Sequence, residues 1–160
     1  MKRSALLFLA VVAAFGGFVR AAEVTPESKR AAIERAVNTR FDEMLAAAAA
    51  LNVDALFRHV AENDRGSLVL NGRPILTRAE ALRTVRDSFS RLTAVKYEVR
   101  DRWVTVLSPT SALLLTTGTT NVTTPDGQKF SRPFTHSIVW VLGEGGWCVV
   151  HSHQTTPPSS

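Results

Sequence analysis

The chain has 160 residues, 45% of them hydrophobic, and its 19 Lys and Arg against 14 Asp and Glu leave a formal net charge of +5. That is one domain's length, with room for one core and not for a multidomain assembly. The single cysteine excludes an internal disulfide, and a modest basic excess without a Lys/Arg block argues against nucleic acid as a partner.

Lys2 and Arg3 precede an uncharged, mostly apolar run from Ser4 to Val19, and Val19-Arg20-Ala21 places β-branched and small residues three and one before Ala22. This pattern predicts a secretory signal peptide over residues 1–21 and a periplasmic or secreted mature protein. The run is short for a membrane span, which needs roughly 20 apolar residues, so no membrane partner is expected after cleavage. Lys2, Arg3 and Arg20 would all leave with the signal, so the mature surface is only weakly basic.

One domain is expected over residues 22–157, with a frayed tail at 158–160. It opens with helices. Thr25-Pro26-Glu27 is a helix start, with a capping hydroxyl, proline at the first helical position and an acid in the first turn. Ile33, Val37, Phe41, Met44, Leu45 and Ala48 follow at helical spacing, and the alanine run 46–50 is helix-forming with little bulk. Asn52 can cap a second, short helix carrying Leu56, Phe57 and Val60. Ser67–Leu70 reads as a short strand, Asn71-Gly72 as a hairpin turn and Pro74–Leu76 as its return. Thr77-x-x-Glu80 is a capping box ahead of an amphipathic helix with Leu82, Val85, Phe89 and Leu92 on one face.

From residue 94 the period changes to two. Ala94–Leu107, Ala112–Thr123, Gln128–Leu142 and Gly146–Thr155 are rich in Val, Thr, Trp, Phe and Ile, and the segments between them carry Pro, Asp and Gly. Short turns between long strands imply an antiparallel meander. Helices followed by a meander give an α+β fold with the helices on one face of the sheet. Strands of that length must curl, and a curled sheet capped by helices encloses a conical space.

The last third carries the most specific pattern: Val139-Trp140, a glycine-rich turn over 143–146, then Trp147 through Val150, His151 and His153. With the order of elements before it, this resembles the nuclear transport factor 2-like superfamily in its SnoaL-like branch, and is closest to the association domain of calcium/calmodulin-dependent protein kinase II. The likeness covers roughly residues 27–157. It implies a cone-shaped (cystatin-like roll) fold, a pocket between helices and sheet, and a homodimer through back-to-back sheets. The arginines that line the kinase domain's pocket correspond here to Gly118, Ile138 and Gln154, so a cationic, carboxylate-binding pocket is not expected; Gly118 would instead make room. Ketosteroid isomerase and polyketide cyclases, other members of the superfamily, need a carboxylate base and a donor to a developing enolate. Tyr97 and Asp101 share strand parity and are the best such pair here.

Three of the four histidines, His136, His151 and His153, fall in the final hairpin. By alternation, His151 and His153 share a face with Trp147 and Val149, and could bind metal only if His136 converged on them; no metal or cofactor is assigned. Arg132, Phe134, His136, Ile138 and Trp140 share the face of the preceding strand that looks into the cone. Cys148 reads as a buried, inert thiol, since a nucleophile would need a base and an electropositive setting. The expected function is therefore an exported, dimeric pocket domain that binds a small apolar or aromatic ligand, or serves in assembly. Arg132, Phe134, Ile138, Trp140, Gly118, His151 and Gln154 are the candidate ligand contacts. The alternative is a small cofactor-independent isomerase, cyclase or hydrolase. In it, His136 or His153 would be the acid/base and Tyr97 or Arg132 would polarise an oxygen.

Overall fold

The computed structural model describes residues 26–62 and 65–156. The expected signal peptide (1–21) and tail (158–160) lie outside the described residues. Helix α1 spans Pro26–Ala49 and buries Val37, Phe41 and Ala48. The short helix α2, Val53–Phe57, is capped by the Asn52 side chain, which accepts from the Ala55 backbone N–H at 2.9 Å. Strands β1 (Leu68–Leu70) and β2 (Arg73–Ile75) form a hairpin whose turn residues Asn71 and Gly72 both have positive φ, 50° and 80°, as a tight two-residue connection requires. Helix α3, Arg78–Phe89, starts at Thr77, whose hydroxyl accepts from the Glu80 N–H at 3.1 Å. No helix among the described residues is long and apolar enough to cross a membrane.

The meander follows as β3 (Ala94–Ser108), β4 (Ser111–Thr123), β5 (Lys129–Gly143) and β6 (Gly146–Thr155). One six-stranded open sheet results, in the order β2-β1-β6-β5-β4-β3. Every pair is antiparallel except β1 with β6, where Leu68 to Leu70 run parallel to Ser152 to Gln154. The α+β architecture, helices on one face of a curved, mostly antiparallel sheet, is the one expected.

Two apolar clusters hold it together. The larger joins Val37 and Phe41 of α1 to Leu114, Ile138, Trp140, Trp147 and Val149 of the sheet; the smaller joins Val53 and Phe57 of α2 to Ile75 and Ala81. Leu114, Ile138 and Trp140 are completely buried, and each such side chain contributes about 1.5–3 kcal/mol relative to exposure. Along α3 the one fully buried residue is Ala81, while the larger Leu82, Val85 and Phe89 are only half-buried. All three pack against the smaller cluster, and Val85 and Phe89 also face the space between the two clusters.

Three register shifts bend the long strands. The register steps by one residue at Arg100 and Leu107 on β3 and at Val150 on β6. Each such bulge increases local twist and inverts the alternation beyond it. Two expectations are corrected as a result. Tyr97 and Asp101 do not share a face: Arg100 intervenes, so Tyr97 points to the helices and Asp101 to the outer face. Likewise, His151 and His153 do not share a face with Val149, because Val150 intervenes. Val149 is buried and pairs with Trp140, whereas His151 pairs with Val139 and His153 is exposed.

Candidate functional site

Between the two clusters lies a cavity of about 200 Å³. Its helical wall is apolar: Phe41, Met44 and Leu45 of α1, Leu56 and Phe57 of α2, and Val85 and Phe89 of α3. Phe41 and Phe57 are buried and the others half-buried, so the wall mixes core residues with side chains at the margin of the core. The sheet wall is different in kind. There Tyr97 of β3, His136 of β5, and Ser152 and Gln154 of β6 reach the same space, with Ser67 and Ser88 at its sides. Among the described residues, no lysine, arginine, aspartate or glutamate lines it.

The sheet register explains why these polar groups meet. His136 pairs directly with Gln154 on one side and Thr116 on the other. Tyr97 hydrogen-bonds the Gln154 side chain, and its ring stands edge-on to Phe134 with centroids 5.6 Å apart at 79°. Burial pushes the Tyr97 phenol above its ordinary range, and the bond to Gln154 only partly opposes this, so Tyr97 is neutral at pH 7. His136 is pressed the other way. Burial lowers its imidazole to about 4, and the neighbouring His153 adds to the effect. Its Nε2 is enclosed without a hydrogen-bond partner, the only such atom among the described lining side chains. At neutral pH the site thus holds three uncharged groups that can donate and accept hydrogen bonds.

The remaining expected site residues lie elsewhere. Ile138 and Trp140 belong to the larger core cluster, packed against α1. Phe134 is buried behind Tyr97. Gly118 opens no space in the cavity: a Cβ there would stand 2.2 Å from the Glu98 carbonyl oxygen and 3.0 Å from Phe134 Cε1, so its missing side chain lets the β3 backbone and the Phe134 ring close in. Arg132 is exposed. His153 is also exposed, its Nε2 3.4 Å from the Thr155 hydroxyl. His151 Nδ1 bonds the Gly66 carbonyl, tying β6 to the segment before β1. The three hairpin histidines therefore do not converge, and among the described residues no three His, Cys, Asp or Glu side chains could hold a metal.

Asp101 sits in an outer-face network, accepting from Arg100 Nε at 2.7 Å and from the Thr117 hydroxyl at 2.9 Å. These hydrogen bonds, Arg100's foremost, hold its carboxyl below the usual range. The Cys148 thiol contacts the Val141 carbonyl at 3.5 Å, and burial pushes it up, away from the reactive thiolate.

Sequence reasoning missed Ser67, Ser88 and Ser152, and the Met44–Phe57–Phe89 wall. Ser152 shares alternation with Gln154 and could have been found from it. The wall residues carried only a general amphipathic signal.

The fold and this cavity place the chain in a known class. A SnoaL-like domain model matches residues 37–158, and the chain belongs to that family. No functionally curated protein matches it. Among solved structures, it is similar to a candidate calcium/calmodulin-dependent protein kinase II association domain from Xanthomonas campestris. That match has 21% identity and a TM-score of 0.69, over 79% of this chain and 89% of the other. It is also similar to a candidate dehydratase of the nuclear transport factor 2-like family from Streptomyces avermitilis, with 16% identity, a TM-score of 0.72, and coverage of 84% and 100%. A candidate scytalone dehydratase from Novosphingobium aromaticivorans superposes with a TM-score of 0.75 at 9% identity, over 84% and 90% of the two chains. At these identities the likeness establishes the fold.

Proposed function

We propose that this SnoaL-like domain is an exported, homodimeric protein that binds a small apolar or aromatic molecule in the cavity between α1, α2, α3 and the sheet. The observation that carries this reading is the cavity's two-sided chemistry: an apolar helical wall facing one cluster of neutral polar groups, Tyr97, His136 and Gln154. Small-molecule sites have this composition, whereas a void left by imperfect packing would be lined by apolar groups alone. Native mass spectrometry of residues 22–160, repeated after denaturation, tests it. A folded protein that carries a co-purified small mass supports the reading. A folded protein with no such mass, which also stays free when small aromatic molecules are supplied, rejects it.

A second reading is a cofactor-independent enzyme, with Tyr97 polarising a substrate oxygen and His136 moving a proton. The dehydratase names of two similar structures favour it. Against it stands the basicity of His136. An imidazole held near 4 is a weak base at neutral pH, and proton transfer works best when the base titrates near the working pH. A rate that rises through pH 4 and vanishes in His136→Leu would favour the enzyme over the binder.

A further inference from the structure

We propose that the occupant of the cavity is an uncharged single-ring phenol, its ring against the helical wall and its hydroxyl among Tyr97, Gln154 and His136. This rests on the binding reading above and narrows it to one chemistry.

Size gives the first restriction. An apolar protein cavity of about 150 Å³ holds benzene. One of about 200 Å³ therefore suits one ring with one or two small substituents. The wall agrees, since Phe41, Phe57 and Phe89 offer ring faces and edges and Met44 a polarisable thioether.

Charge gives the second. Among the described residues, no cationic or anionic side chain lines the cavity, and the nearby Arg78 is already committed to the Phe57 and Val60 carbonyls. A carboxylate or an ammonium would be buried with no counter-charge, at a cost that polar neighbours alone do not offset. The suppressed protonation of His136 reports the same property from the protein's side.

The polar end gives the third. Tyr97 and Gln154 already bond each other, and the enclosed lining atom without a partner is His136 Nε2. A hydroxyl both donates and accepts, so it satisfies that nitrogen in either imidazole tautomer, whereas a carbonyl satisfies only one. Nε2 is enclosed, so binding requires the ring to turn towards the ligand, and this is itself observable.

The test compares three probes of one size, p-cresol, toluene and benzoate, by calorimetry on the folded protein at pH 7. It follows the His136 imidazole nitrogens by NMR. The expected result is p-cresol binding at least tenfold tighter than either of the others, with a shift of the His136 Nε2 resonance that toluene does not produce. In His136→Leu, checked for folding by circular dichroism, the p-cresol-to-toluene ratio falls to near one. If that variant does not fold, the wild-type ratio and the NMR shift still decide. Equal binding of toluene and p-cresol overturns the hydroxyl site and leaves the binding reading standing, and benzoate binding as well as p-cresol overturns neutrality. If no probe binds although a co-purified mass is present, the single-ring assignment fails alone. If neither is seen, both readings fail.

Discussion

Tyr97 meets Phe134 edge to face, ring centroids 5.6 Å apart at 79°, and the Phe134 ring in turn lies 3.0 Å from the point where Gly118 would carry a Cβ. The polar end of the cavity is thus propped from behind by a glycine. The prop also explains how a tyrosine on β3 can reach a glutamine on β6 across two intervening strands: the sheet curls sharply beside the Arg100 bulge, where the β3 backbone closes on Gly118.

Gly118→Ala tests this support. The new methyl would stand 2.2 Å from the Glu98 carbonyl oxygen, and that backbone cannot swing away as a side-chain tip could. Overpacking costs about 1–3 kcal/mol, and the variant should fall at the upper end of that range in urea unfolding. Unchanged stability would mean that β3 can relax outward freely.

Arg78 fastens the roof of the cavity. Its Nε donates to the Val60 carbonyl at 3.0 Å, Nη2 donates to the Phe57 carbonyl at 2.8 Å, and the guanidinium lies 5.7 Å from the Phe57 ring centroid. Arg78→Ala should cost about 3 kcal/mol, since it removes two charge-assisted bonds and leaves partly buried carbonyls unpaired. Arg78→Lys should recover less than half, because an ammonium cannot reproduce the fork. Glu62→Gln, which breaks only the ion pair to an exposed carboxylate, should change stability by less than about 1 kcal/mol. Equal losses in all three would contradict this division of roles.

The stability of the protein should fall with acid in a window set by His136. Its folded value is about 4 against an ordinary 6.5, so between these limits the unfolded chain binds more protons and stability rises with pH. The contribution is complete above about pH 6.5, is lost as pH falls towards 4, and amounts to at most about 3 kcal/mol. His59 is also lowered, chiefly by burial, and adds to the slope in the same direction. Urea unfolding at intervals from pH 4 to 7 should therefore show a steeper dependence in the wild type than in His136→Leu. Parallel curves would show that His136 is not held neutral.

The outer sheet face presents Trp103, 52% exposed, paired across the strands with Leu115, 36% exposed. If this face forms the proposed dimer, Trp103→Glu should weaken self-association at least tenfold in analytical ultracentrifugation, as loss of a central aromatic anchor usually does. An unchanged sedimentation coefficient would place the dimer contact elsewhere or remove it.

Several elements were legible in residue order because their causes are local. Asn52 and Thr77 mark helix starts through bonds made within a turn, and Pro26 through its fixed φ. Asn71-Gly72 marks a hairpin because few other pairs accept positive φ twice. The switch to period two at residue 94 announces four strands whose observed bounds differ from the expected ones by a residue or less.

What the tertiary structure alone decided is which side chains share a space. Alternation assigned Asp101 to the face of Tyr97, and His151 and His153 to that of Val149. One register shift in each strand, at Arg100 and at Val150, reversed both assignments. A bulge is a property of the pairing between two strands and leaves no mark in the alternation of one of them. The cavity has the same origin. Ile138 and Trp140 are as apolar as Leu45 and Phe89, but they are wholly buried in the core and do not line the cavity, while the helices stand off His136 and Gln154. Sequence determined the elements and the faces they would bury where pairing was regular; the bulges and the curvature they impose determined that Tyr97, His136 and Gln154 meet around one small space.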